Sequence, residues 1–126
     1  MPLNVVVVDD EPGMARLARA LLERTGRFRV VGEAQDGIEA IEAAKRHRPD
    51  LVLLDIMMPR MSGLEALPQL VTLEPRPLVF IWSMLSDAAT VEKARALGAD
   101  GCFDKSEDPA LLPQRILGAV AGRVEA

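Results

Sequence analysis

Five short apolar runs alternate with five stretches of helical periodicity. The runs are Leu3 to Val8, Phe28 to Glu33, Leu51 to Asp55, Leu78 to Trp82 and Gly101 to Asp104. Short apolar runs bounded by turn residues predict buried strands of a parallel sheet. Between the first two, Glu11 to Arg24 carries Met14, Leu17, Ala18, Leu21 and Leu22 at helical spacing. Asp10 is an expected N-cap there, Pro12 suits the first turn, and Thr25-Gly26 stops the helix. Asp36-Gly37 opens a second helix towards His47, with Ile38, Ile41 and Ala44 on one face, and Pro49-Asp50 breaks it. Ser62 and Glu65 form a capping-box pair for the third helix, which Pro68 is expected to kink or shorten. Asp87 caps the fourth, which runs to Leu97 and ends at Gly98. Asp108-Pro109 opens the fifth, running towards Arg123, with Pro113 expected to distort its second turn.

Five strand–helix units with short connections imply a parallel sheet covered on both faces. Right-handed crossovers make 2-1-3-4-5 the natural strand order of such a doubly wound α/β fold. Strands one and three are then neighbours, and both end in acids: Asp9-Asp10 after the first and Asp55 after the third. In open α/β sheets, ligands bind at this carboxyl edge, at the switch point. Any one of these acids alone reads equally as a solvated cap. Three at two adjacent strand ends repel one another, which a hard divalent cation such as Mg²⁺ relieves through oxygen ligands. Strand four ends at Ser83 and strand five at Asp104-Lys105, on the same edge. A metal, a carboxylate nucleophile, a hydroxyl and an ammonium suit phosphoryl transfer with a covalent acyl-phosphate on Asp.

Composition narrows the partners. The 126 residues are 49% hydrophobic but only 3% aromatic, so the core must be aliphatic. A net charge of −4 offers no basic footprint for nucleic acid. A single cysteine, Cys102, excludes an internal disulfide and fits a reducing compartment. No run approaches the roughly 18–20 apolar residues of a membrane span, and the start, Met1-Pro2-Leu3-Asn4, has no signal-peptide pattern. The expectation is one cytoplasmic domain over residues 1–126, with neither nucleic acid nor membrane as partner.

The chain resembles a response-regulator receiver domain over nearly its whole length. The resemblance rests on Val6-Val7-Val8-Asp9-Asp10-Glu11-Pro12 and on Asp50-Leu51-Val52-Leu53-Leu54-Asp55-Ile56-Met57-Met58-Pro59 with Ser62-Gly63. It extends to Ser83 and to Leu97-Gly98-Ala99-Asp100-Gly101 leading to Lys105. It implies a flavodoxin-like fold and phosphorylation of Asp55 by a histidine kinase or phosphotransfer protein. It also implies Mg²⁺ held directly by Asp10 and Asp55, through water by Asp9, and by the backbone carbonyl of Met57. Ser83 and Lys105 would hold the phosphoryl oxygens. The face made by helix four, strand five and helix five would then engage a downstream protein or a second copy of the chain.

Cys102, Met84 and Ser106 depart from the family pattern, and Met84, Cys102 and Phe103 make up the expected switch region. Cys102 stands where the family usually has Tyr or Phe. Phe103 is adjacent, but period-two alternation sends it to the opposite face. The inward-rotating ring is therefore expected to be absent, with output carried by backbone movement near Ser83 and Met84. Met84 replaces a usually small residue and is expected to shield the phosphoryl group. Lys105 precedes Ser106 rather than the family's cis proline, so a trans bond is expected.

The leading reading is a phosphoacceptor switch and not an enzyme. A degenerate receiver acting as a scaffold is an alternative, which the intact acids, Ser83 and Lys105 oppose. A Mg²⁺-dependent aspartyl-phosphate phosphatase of the haloacid-dehalogenase type is more remote. That type carries an acid two residues after the nucleophile, where Met57 stands here.

Overall fold

In a computed structural model, which describes residues 1–85 and 87–125, the chain forms a three-layer α/β domain. The strands are β1 (Leu3–Val8), β2 (Phe28–Ala34), β3 (Leu51–Leu54), β4 (Leu78–Ser83) and β5 (Gly101–Asp104). The helices are α1 (Pro12–Arg24), α2 (Gly37–His47), α3 (Gly63–Leu70), α4 (Ala88–Ala96) and α5 (Leu112–Glu125). The sheet is parallel, in the order β2-β1-β3-β4-β5. Among the described residues, no helix is long and apolar enough to cross a membrane.

Alternation along the strands divides the core in two. Val6, Val8, Val52, Leu54, Val79 and Ile81 face one side and pack under α2, α3 and α4 through Ala40, Ile41, Leu67, Leu70 and Ala94. Val5, Val7, Leu51, Leu53, Phe80 and Trp82 face the other and meet α1 and α5 through Ala18, Leu22 and Ile116. The inner strands are buried on both faces, which is why they read as unbroken apolar runs.

Several local expectations are corrected. Asp10 does not cap α1. The N-cap is Glu11, without a side-chain bond, and the Glu11 N–H instead donates to Asp9 Oδ1 at 2.9 Å. Leu17 and Ile38, assigned to buried faces, are exposed; the small residues Ala15 and Ala40 take the buried places. Helix five opens as a 3-10 turn, Pro109–Leu111, before α5 begins at Leu112. Pro113 has no N–H to give to the Pro109 carbonyl, so that carbonyl accepts from Leu112 instead. Pro68 is accommodated within an eight-residue α3.

Asp36 caps α2 as its Asp-Gly pair suggests: Oδ1 accepts the Glu39 N–H at 2.9 Å. Oδ2 accepts from Arg60 in the loop after β3. The Glu39 N–H, above all, holds the Asp36 carboxyl below the ordinary carboxylate range; burial opposes this, and Arg60 reinforces it. A lowered folded pKa gives stability that is present above the ordinary aspartate value and lost as pH falls through the lowered one. Asp36→Asn keeps a capping oxygen but loses the charge. Urea unfolding should therefore show the variant less stable at pH 7, with the gap closing below about pH 4.

Candidate functional site

The ends of β1 and β3 sit side by side, with Val8 paired to Leu54. The next residues, Asp9 and Asp55, therefore emerge together at the carboxyl edge, joined by the Asp55 N–H to the Val8 carbonyl at 3.1 Å. One carboxylate oxygen from each of Asp9, Asp10 and Asp55 lies within 4.8 Å of the others. Asp9 and Asp55 are buried, while Asp10 is exposed at the mouth. Asp10 lines a cleft of about 380 Å³ with Ile56, Met57, Met58 and Ser62. Met57 is 65% exposed there.

Lys105 crosses the site from β5. Its Nζ donates to Asp9 Oδ2 at 2.6 Å and to Asp55 Oδ2 at 3.0 Å. The remaining oxygen of Asp55 accepts the Ile56 N–H at 2.8 Å. The ammonium also lies 5.3 Å from the centre of the Trp82 ring, a cation–π distance. Burial works against the Lys105 charge, but the Asp9 hydrogen bond and the Asp55 carboxylate outweigh it and raise its pKa. The lysine is therefore a fixed cation at neutral pH.

Ser83 is buried at the end of β4, and its Oγ accepts the Leu85 N–H at 3.1 Å. Its carbonyl accepts the Lys105 N–H at 3.0 Å, which latches the ends of β4 and β5 together. Lys105–Ser106 is trans; the cis bond among the described residues is Glu74–Pro75. Cys102 and Phe103 take opposite faces. Phe103 packs on Phe80 with ring centres 5.8 Å apart, while Cys102 packs on the α4 side. A cavity of about 220 Å³ beside Cys102 is lined by Ile56, Ile81, Leu85, Thr90, Val91 and Ala94, among others. Cys102 is half-buried, and burial raises its thiol pKa. Met84 is 67% exposed.

The response regulator receiver domain family matches residues 5–117. The chain belongs to this family. It is 33% identical to the signal receiver domain of NarL from Mycobacterium tuberculosis, with a TM-score of 0.89 over 96% of this chain and 98% of that one. Against the response regulator domain of Thermotoga maritima CheB the values are 27% and 0.81, over 99% and 95%. The CheX–CheY complex with BeF3 and magnesium from Borrelia burgdorferi gives 29% and 0.86, over 95% and 90%. A Rhizobium etli protein-glutamate methylesterase/protein-glutamine glutaminase is 40% identical over 99% of this chain but only 35% of its own length. A Myxococcus xanthus relative of the same name is 40% identical over 86% of this chain and 31% of its own.

These relatives correct one expectation, that the chain is not an enzyme. The Rhizobium etli and Myxococcus xanthus proteins are both named for catalysis. The chain spans about a third of their length, and the named activity is theirs as whole proteins. Receiver domains bind Mg²⁺ at an acidic pocket, and the three clustered carboxylates offer the hard oxygen donors that suit this ion.

Asp9, Asp10, Asp55 and Lys105 come together in space, and the expected loop after Asp55 closes on itself at Gly63. Gly63 donates its N–H to the Ile56 carbonyl at 2.9 Å, and a Cβ on it would lie 2.0 Å from the Asp55 carbonyl oxygen. Only glycine fits that approach. Gly63→Ala must move the backbone of Asp55 itself, at a cost of about 1–3 kcal/mol or more. A lowered urea midpoint is the expected result.

Proposed function

We propose that Asp55 accepts a phosphoryl group from a phosphohistidine on a kinase or phosphotransfer protein. The supporting observation is the Lys105 ammonium bridging Asp9 and Asp55 beside the exposed Asp10. Such a site has a nucleophile, a fixed counter-charge and an open mouth. An Asp55 oxygen attacks phosphorus and forms the O–P bond as the P–N bond breaks. The departing imidazole nitrogen keeps the electron pair and takes up a proton. Lys105 shifts its Nζ from Asp55 to an incoming phosphoryl oxygen, and the Ser83 hydroxyl donates to another. Asp10, Asp55 and the Met57 carbonyl would hold Mg²⁺, with Asp9 acting through water. When bound, the ion neutralises charge on the transferring oxygens.

The domain occupies residues 1–126 of a cytoplasmic signalling protein, and its output passes through the α4–β5–α5 face to a protein partner. The methylesterase relatives suggest that output is control of a protein-glutamate methylesterase activity. At that face, Cys102 leaves free space, and the Phe103 ring packs on Phe80. The response to phosphorylation is therefore movement of the backbone around Ser83 and Met84.

Incubation with Mg²⁺ and a phosphorylated histidine donor should add one phosphoryl mass to the wild-type chain and none to Asp55→Asn. An equal gain in the variant would remove Asp55 from the role. The exposed Met84 closes over the phosphoryl group once it is formed. Dephosphorylation of Met84→Ala should be faster than wild type by about threefold, equivalent to roughly 0.7 kcal/mol; equal rates would remove the shielding role.

A further inference from the structure

We propose that the Asp36–Arg60 ion pair is a positioning clamp that sets the Mg²⁺ affinity of the site by fixing the loop that carries Met57. The inference rests on the reading of Met57 as a metal ligand. Met57 and Arg60 share the loop between Asp55 and Gly63. Arg60 has a left-handed backbone, φ 65°, a conformation that non-glycine residues hold only when their surroundings enforce it. A local bond, from the Met61 N–H to the Pro59 carbonyl at 2.7 Å, closes the turn around Arg60, and contacts to α2 hold that turn in place. Arg60 Nε donates to Asp36 Oδ2 at 2.7 Å, and Nη2 contacts the same oxygen. One residue on, the Met61 carbonyl accepts the Gly37 N–H at 2.8 Å. Met61 also packs so closely on Gly37 that a Cβ there would sit 2.6 Å from Met61 Cγ.

The loop is thus tied at two places. Gly63 closes its base on Ile56, and the first turn of α2 pins its tip. Its near wall, Ile56, Met57 and Met58, lines the cleft that Asp10 enters. Asp36 and Arg60 make no hydrogen bond to Asp9, Asp55 or Lys105 among the described residues.

The asymmetry of the pair argues for positioning over bulk stability. The Asp36 side chain is 1% exposed and already satisfied at Oδ1 by the helix, whereas Arg60 is 60% exposed. Ion pairs with so exposed a partner contribute little to folding. Their geometric effect survives, because a guanidinium holding one fixed oxygen with two nitrogens restricts the loop to one arrangement. Partners that orient metal ligands are worth about 10–100-fold in affinity when bonded to the ligand itself; a clamp three residues away acts more weakly.

The test is Mg²⁺ titration calorimetry on the intact chain, with thermal unfolding alongside. Arg60→Asn tolerates the left-handed backbone but lacks the reach. It should weaken Mg²⁺ binding about three- to tenfold, a fraction of the directly bonded effect, while melting near wild type. Arg60→Lys should recover part of the loss. Asp36→Asn with Arg60→Asn should be no weaker than Arg60→Asn alone. Wild-type affinity in Arg60→Asn would overturn the clamp. So would a loss that only tracks stability and is not rescued by lysine. If wild type itself binds no Mg²⁺, the reading of the site fails and the clamp falls with it; the two failures are told apart by the wild-type titration.

Discussion

Two buried carboxylates brought together need a positive charge between them, and this structure is organised around supplying one. Lys105 reaches Asp9 and Asp55 because β5 lies two strands from β3 and its end is bonded to the end of β4. Every feature that aligns the strand ends therefore serves the ammonium: the parallel registers, the aliphatic layers beneath and the Ser83–Lys105 backbone bond. The desolvation cost of a buried lysine is offset by two close anions rather than one. The exposed Asp10 leaves the mouth open for a further cation without dismantling this arrangement.

The sheet edge and its acids were legible because they depend on two strong signals. Buried parallel strands leave unbroken apolar runs, and their last residues then point to one edge. Asp9, Asp55, Ser83 and Lys105 all follow from counting to the end of a strand. The packing of α1 and α2 was less legible. Leu17 and Ile38 look like core in a helical pattern, yet they are exposed, and Ala15 and Ala40 are buried together with Leu22 and Ile41. The 3-10 start of helix five was obscured by the way Pro109 and Pro113 act jointly on a single carbonyl.

The conformation of the loop around Arg60 was hidden for a different reason. Nothing in Pro59-Arg60-Met61 announces a left-handed arginine, and Asp36 already had a sufficient role as a helix cap. A residue that satisfies two elements at once shows only its nearer role in a linear pattern. The methylesterase relationship was illegible in a stronger sense, because the named activity belongs to proteins about three times as long as the matched segment.

Trp82 lies buried with the Lys105 ammonium 5.3 Å from its ring centre, and the chain has no other tryptophan and no tyrosine. Its near-ultraviolet emission therefore comes almost wholly from one indole, beside one movable charge. The energy of an excited indole depends on the local electric field. Displacement of the ammonium by even an ångström changes the colour of that emission, with no competing chromophore to dilute it. The protein carries its own optical gauge of where Lys105 sits.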